Sequence, residues 1–466
     1  MAEARGYELK DLTITIPKTG GNRQVSKDLA SRFKKDSKNS FDLKSVAAEF
    51  TWYESIDSPF CRLDIAIIES VDFINLLRGG EVVHLEIVTD ASKGKSLKWE
   101  GQIFKIASVI KTERTCSYIL HCVSTEALNN EVNRVFGSFG PATKAGSGKQ
   151  DIVQYIVKEH LQGQKKLKHA GAIEPHSKIN FVSPNWRPVD LLNYMCDKVT
   201  RSNKGKGSET QSGFLFYENR RGFNFQSIDY MCEQPPLDFE YVYEQSNVQE
   251  SDTERNYYLI NNIAFPDRTH ILEKLRTGTI YNVTSGIMLP VMTRSAVAQD
   301  TSGGGGGTIT GPRESKYSAM FGKMSTLERG NPMAFMKEYE DYFPSRAKLR
   351  ILPGLKDQKE QQGRPAGDPT AGAPTADGDT LEVGTYAMAR YESIRAICLR
   401  VEVPGNTALA AGDVIKVLIP LGRSAGNKVE EDKVYSGKYL IAGIAHVWTK
   451  EGVSTTLELI RDSVKG

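Results

Sequence analysis

The feature that most constrains this chain is internal repetition: four blocks recur in the same order, about 335 residues apart. Tyr53-Glu54-Ser55-Ile56 returns as Tyr391-Glu392-Ser393-Ile394. Gly80-Glu81-Val82-Val83-His84-Leu85-Glu86-Ile87 returns as Gly412-Asp413-Val414-Ile415-Lys416-Val417-Leu418-Ile419. Phe104 to Val109 matches Tyr439 to Ile444, and Tyr118 to Val123 matches Thr455 to Ile460. Strands send alternate side chains to opposite faces, so a slip of one residue would reverse every assignment. In the second block Val83, Leu85 and Ile87 align with Ile415, Val417 and Ile419, so the apolar phase is kept. Any two β-domains can share a Gly-acid-Val-Val strand by composition, but four ordered blocks with similar spacing are harder to reach that way. Two like modules in one chain would let three chains close a ring of six nearly equivalent units.

The length of 466 residues leaves room for about three domains at roughly 150 residues each. Residues 7 to about 135 read as strands: Tyr7 to Ile16, Ala47 to Tyr53, Cys61 to Ile68, then the repeat. Their alternation fits an antiparallel barrel or sandwich with one wet face. A glycine-rich linker follows, with Gly137, Gly140, Gly146 and Gly148. Ser147 and Gln150 then form a capping-box pattern before a helix over Asp151 to Leu161, with Ile152, Tyr155 and Ile156 on one side. Pro188 suits a helix first turn, and Leu191, Leu192, Met195 and Val199 follow at helical spacing. Phe214 to Tyr217 and Phe223 to Ile228 flank Asn219-Arg220-Arg221-Gly222 as a hairpin.

The expected architecture is mainly β with an α+β part: two related antiparallel β-barrel-like modules separated by a small α+β domain. Its divisions are 1–135 for the first module and 136–235 for the middle domain. The second module begins over 236–299 and is completed by 385–466. Between its parts, 300–384 is a flexible insert with a short helix. The insert holds Gly303 to Gly307 and a run over 362–379 made almost entirely of Gly, Pro, Ala, Asp and Thr, neither with core-forming side chains. Between them Phe335, Met336, Tyr339, Tyr342 and Phe343 form an apolar stripe ending at Pro344. Such a stripe packs on its own chain or docks on a neighbouring subunit.

Net charge is +3, from 60 basic and 57 acidic residues, which argues against a concentrated basic footprint for nucleic acid. The basic patches Arg32-Phe33-Lys34-Lys35 and Lys165-Lys166-Leu167-Lys168 read as solvated faces. Six cysteines at 61, 116, 122, 196, 232 and 398 make no Cys-x-x-Cys pair, which suits a reducing compartment. The start of the chain shows no apolar leader and no run reaches a membrane span, so synthesis in a cytoplasm is expected.

Catalytic constellations fail on spacing. Gly140 to Gln150 resembles a phosphate loop, but its glycines are misplaced and Gln150 stands where Ser or Thr would hold magnesium. The seven histidines form no zinc motif, and no Gly-x-Ser-x-Gly elbow occurs. Carboxylates such as Asp57 and Glu69 cannot be told from surface charge in sequence. No enzyme activity, metal or cofactor is expected.

Several segments together resemble a family. Tyr53-Glu54-Ser55-Ile56-Asp57-Ser58-Pro59-Phe60 before an alternating strand resembles baseplate hub proteins of contractile-tailed phages, of the T-even type. Asn185-Trp186-Arg187-Pro188-Val189-Asp190-Leu191-Leu192 does too, with Gly213 to Glu218 and Gly222 to Phe225 after it. Val403-Pro404-Gly405-Asn406, Gly412 to Ile415 and Tyr435 to Ile441 complete the pattern, which omits the insert. The resemblance extends to the base of type VI secretion spikes.

This likeness implies a homotrimer whose two modules per chain form a pseudo-six-fold torus in a phage virion baseplate. One face would receive the tail tube protein and the other the central spike protein. The lumen would pass the tape measure protein and then DNA, without specific binding and without a dense Lys/Arg belt. Trp186 could anchor a subunit contact or brace the helix at Pro188, and Phe335, Tyr339 and Tyr342 are the other candidate interface residues. Two rival readings are a virion-associated peptidoglycan hydrolase, housed in the middle unit, and a monomeric glycan-binding β-module. A tailocin or secretion-system hub has the same residue signature as a virion hub.

Overall fold

The computed structural model describes residues 6–17, 34–36, 40–139, 152–163, 165, 167–169, 181–201, 211–243, 256–266, 270–288, 313–352, 380–421 and 430–465. The Ser147–Gln150 capping box, Gly303 to Gly307 and the 362–379 run lie outside these residues.

Eight strands form the first module: β1 (Tyr7–Thr15), β2 (Lys34–Asp36), β3 (Ser40–Asp42), β4 (Ala47–Ser55), β5 (Arg62–Glu69), β6 (Val82–Thr89), β7 (Leu97–Lys111) and β8 (Cys116–Ser124). The middle unit holds β9 (Val135–Phe139), β10 (Leu167–His169), β11 (Phe181–Trp186), β12 (Phe214–Asn219) and β13 (Gly222–Ser227). Next come β14 (Glu240–Val242), β15 (Asn262–Ala264), β16 (Tyr281–Met288), β17 (Arg313–Lys316) and β18 (Arg346–Leu352). The last four are β19 (Ile397–Pro404), β20 (Val414–Leu418), β21 (Gly437–Thr449) and β22 (Val453–Arg461).

The repetition is real at the level of topology. Five strands run β4-β5-β8-β7-β6 in the first module and β15-β19-β22-β21-β20 in the second. Every neighbouring pair in both series is antiparallel. The turn before the second block is copied in detail. Gly80 N–H donates to the Ile103 carbonyl and Gly412 N–H to that of Ile441, at 2.7 and 2.9 Å. Ile103 and Ile441 return the bond to the carbonyls of Glu81 and Asp413. Each acid also accepts from the backbone N–H three residues earlier, Arg78 or Ala410. Gly80 and Gly412 both sit at left-handed φ, 84° and 89°, where glycine carries no Cβ penalty. A β-bulge follows Ile103 and Ile441 alike, leaving Phe104 and Ala442 as the unpaired residues.

Two parts of the sequence alignment are corrected by this register. Phe104 corresponds to Ala442, three positions from the Tyr439 that the sequence match chose. An odd slip exchanges faces, and accordingly Phe104 is exposed while Tyr439 is buried. The first block also differs in conformation: Tyr53 to Ser55 end β4, whereas Tyr391 to Ser393 close the helix Thr380–Ser393. A tetrapeptide has no fixed secondary structure, and here its second copy lies at the end of a 14-residue helix. Ile56 and Ile394, which end the block, nonetheless pack into one shared buried cluster.

The strand alternation is cashed out in two cores. One gathers Leu12, Phe41, Trp52, Ile65, Val83, Leu85, Ile87 and Leu120, and the other gathers Tyr241, Val401, Ile415, Val417, Tyr439 and Leu457. The sheets curl round these cores, but no ladder closes either into a barrel among the described residues. Instead β21 pairs with β4, so both modules belong to one 14-stranded sheet.

In the middle unit, β12 and β13 form the expected hairpin, closed by Asn219 opposite Gly222, with β10 alongside in parallel. Phe214 stacks with Phe225 and Phe216 with Phe223, at 5.3 and 5.6 Å between ring centres. Against them pack the helix Pro188–Cys196 and a short helix Ile152–Tyr155 that widens into a π turn, Ile156–His160. The buried face of the latter is Ile152, Val153, Ile156 and Val157, so Tyr155, expected inside, is turned outward. Finally, β16 pairs not with the second module but with β17 and β18 in a separate three-stranded sheet.

Candidate assembly surfaces

The seam between the modules is the first surface. Residues Gly443 to Thr449 of β21 pair antiparallel with Ser55 to Glu49 of β4. Trp448 leaves its own module's core and enters the other. There it stacks on Phe50, with centroids 4.9 Å apart and planes 12° from parallel. Next to this pair Trp52 stacks on His446 at 5.8 Å. Burial pushes the His446 imidazole down to about 3, so the ring is neutral and shares a 2.8 Å hydrogen bond with the Thr455 hydroxyl. The stacked rings at the middle of the seam therefore carry no charge.

Two buried polar joints then tie the modules to the middle unit. Glu54, at the end of β4, accepts from Ala411 N–H at 2.6 Å and from Arg220 N–H at 2.7 Å. One carboxylate thus holds the first module, the β12–β13 turn and the second module's repeat turn together. Burial outweighs those two hydrogen bonds and pushes Glu54 up to about 8. Arg390 is the second joint and is fully buried. Its guanidinium meets Asp229 at 3.2 Å and Asp462 at 2.8 Å, and donates to the Ser325 carbonyl at 2.9 Å. Losing a partner here would strand a buried charge.

Several groups of the kinds that catalysis uses have structural roles here. Burial pushes the thiols of Cys61, Cys122, Cys196 and Cys232 up, away from the nucleophilic thiolate. Asp57 and Glu69 serve different ends: Asp57 is ion-paired with Arg395, while Glu69 accepts from the backbone of Val71 and Ile74. A cleft of about 430 Å³ lies between β6–β7 and the β12–β13 turn. Its lysines and Arg221 are ion-paired, as Lys98–Glu86, Lys165–Glu218 and Arg221–Asp413, and the His84 ring lies 3.3 Å from the Glu100 carboxylate. Among the described residues no group of three or more His, Cys, Asp or Glu could hold a metal ion.

The four candidate interface residues separate into two kinds. Trp186 is half-buried against the middle core, edge-on to Tyr194 at 5.0 Å, and so braces the helix Pro188–Cys196. Phe335, Tyr339 and Tyr342 are exposed on the 3-10 helix Ala334–Asp341 and just beyond it, at 55%, 39% and 72%. The expected stripe is split: Met336 is buried, together with Glu340, which accepts from Ser318 N–H and Oγ at 2.7 and 2.6 Å. That inward carboxylate turns the aromatic face to solvent.

Glu54 and Arg390 escaped the sequence reading. Residues 380–393, read as the end of the insert and the resumption of the module, form a helix in which Arg390 follows small residues, Ala387 and Ala389. A lone Arg among alanines was the one available signal.

No family model and no curated protein matches the chain by sequence. Solved structures do match. The 43 kDa tail protein of prophage MuSo2 from Shewanella oneidensis is 11% identical, covers 90% of this chain and 96% of its own, and superposes with a TM-score of 0.50. The tail protein from Neisseria meningitidis MC58 is 10% identical over 99% of this chain and 98% of its own, with a TM-score of 0.51. The chain thus has the fold of phage-type tail proteins, as the sequence resemblance implied. No helix among the described residues is long and apolar enough to cross a membrane.

Proposed function

We propose that this chain is a non-enzymatic, structural hub of a contractile-tail baseplate, working as a homotrimer in the virion. The observation that carries this reading is the repeated five-strand topology joined across one continuous sheet. Three chains supply six nearly equivalent modules and only three middle units. A six-fold tail tube would meet the former and a trimeric central spike the latter. Tape measure protein and DNA pass through the lumen without specific binding, as suits a charge of +3. We divide the chain into the first module over 1–135, the middle unit over 136–235, and a second module interrupted by the 300–384 insert, to whose sheet β16 belongs. Phe335, Tyr339 and Tyr342 serve as a subunit or partner contact, since an exposed aromatic row is the usual material of interface hot spots. Trp186 supports the middle unit by bracing the helix Pro188–Cys196.

The test is native mass of the purified chain at micromolar concentration, followed by mixing with tail tube and spike proteins. Three chains per particle that cap tube ends and retain the spike are expected. A single chain that binds neither partner contradicts the reading.

A further inference from the structure

The internal repeat specifies more than symmetry, because the junction made inside one chain leaves two equivalent edges open. In the second module, β21 is covered by β20 only over Gly437 to Leu440, and its outer half is covered by β4. In the first module, β7 is covered by β6 only over Leu97 to Gln102. With Ile103 equivalent to Ile441 and a bulge after each, Lys105–Lys111 of β7 takes the place of Gly443–Trp448 of β21, one residue longer because β7 bulges a second time after Ala107. That half of β7 has no strand beside it, on the side away from β8, among the described residues. Its apolar side chains are unusual for a bare edge: Val109 is 49% and Ile110 62% exposed.

The complementary edge is β15. It stands against β19 as β4 stands against β5: Phe50 lies opposite Ile65 and Ile263 opposite Val401. Ile65 and Val401 in turn face the equivalent Leu120 and Leu457. So β15 is the counterpart of β4, yet it ends the sheet, with its outer side uncovered among the described residues. The exposed Phe265 follows it directly.

We infer that the outer half of β7 pairs, antiparallel, with β15 of a second copy of this chain, repeating between chains the junction that β21 makes with β4 within one. The proposal rests on the hub reading for the number of chains, but the pairing itself follows from the repeat. Each chain carries one edge of each kind, so the contact is head-to-tail and closes as a ring when the rotation fits.

The experiment uses the full chain and two edge variants. V109D/I110D puts charge on the exposed β7 edge, and Ala264→Asp does the same on β15. All these side chains are exposed, so circular dichroism and melting of the single chain should match wild type. The expected result is a wild-type native mass of three chains falling to one for either variant. Mixed together, the two variants should form a particle of two chains and no larger, since only one good junction remains. Hydrogen exchange of wild type provides a readout independent of the variants: amides in 105–111 and 262–265 should slow at least tenfold on association.

A wild-type trimer that neither variant weakens, with both segments exchanging fast, overturns the pairing and leaves the hub reading standing. Edge-dependent association into a particle other than a trimer keeps the pairing and overturns the hub reading. A wild-type chain that stays single overturns both.

Discussion

The two modules share a frame of five strands and differ in what flanks it. In the first, β4 is nine residues long and pairs on both sides, with β5 and with β21. Its counterpart β15 has three residues and pairs on one side among the described residues. The strands beyond the frame differ too: β1 runs antiparallel to β6, whereas β14 runs parallel to β20. The frame is where cores form, and repetition there preserves alternation, the turn glycine and the bulge. Outside it the copies are free to diverge, since each edge meets a different neighbour. Duplication thus fixes the shape of a module, and the flanks decide which contacts are made within the chain.

The comparison is sharpest at Trp448 and Lys111, which occupy equivalent places opposite Val453 and Cys116. Trp448→Ala should cost about 3–5 kcal/mol, as expected for truncating a large buried aromatic. Lys111→Ala in the single chain should stay within about 0.5 kcal/mol. Urea unfolding of both variants checks this; equal costs would mean that the two equivalent places carry the same load. Arg390→Met tests the anchor that only the second module has. It leaves Asp229 and Asp462 without their buried partner and should destabilise by about 3–5 kcal/mol in the same measurement.

The matched glycines offer a smaller contrast. Both Gly80→Ala and Gly412→Ala force a side chain into the left-handed region, at about 1–2 kcal/mol. A Cβ at Gly80 meets nothing within 4 Å, whereas at Gly412 it would lie 2.2 Å from the Tyr217 hydroxyl. Gly412→Ala should therefore cost about 1–3 kcal/mol more, from overpacking. Thermal melts of the pair decide it.

The smallest effect is the pH dependence of the Glu54 joint. Its folded pKa, about 8, lies above the unfolded value near 4.5. Its contribution is therefore complete below pH 4.5 and is lost as pH rises through 8. Between pH 7 and 9 stability should fall by roughly 1 kcal/mol, and Glu54→Gln should flatten that slope. His446 has the opposite sign: its lowered pKa gives stability above 6.5 that is lost as pH falls toward 3. His446→Gln should flatten the acid side alone. Chemical denaturation across pH separates the two.

How far the sequence could be read follows from what each feature writes into it. Alternating apolar residues recorded the second block in correct register, because a misplaced strand would bury His84 and expose Leu85. The third block slipped by three because a bulge leaves no residue signature, and Phe104 resembles Tyr439 more than its true counterpart Ala442. Pro188 and the Asn219–Gly222 turn were legible since both encode local geometry. The helix at 380–393 was not, because Tyr391 to Ser393 repeat the residues that end a strand in the first module. Of the surfaces, the aromatic row could be seen, but not the turn of Glu340 inward that exposes it. Glu54 and Arg390 act through partners far away in sequence, Ala411 and Asp229, which no local pattern predicts.

As the proposed hub, each chain would contribute two equivalent modules to a closed ring. The most direct measurement of that arrangement is the rotational symmetry of end-on electron micrographs of the purified full-length particle. Threefold averages whose outer wall carries a strong sixfold component are expected, with six modules in three joined sheets continuous round the ring. Averages with threefold density alone, or with the two modules at different radii, would contradict it.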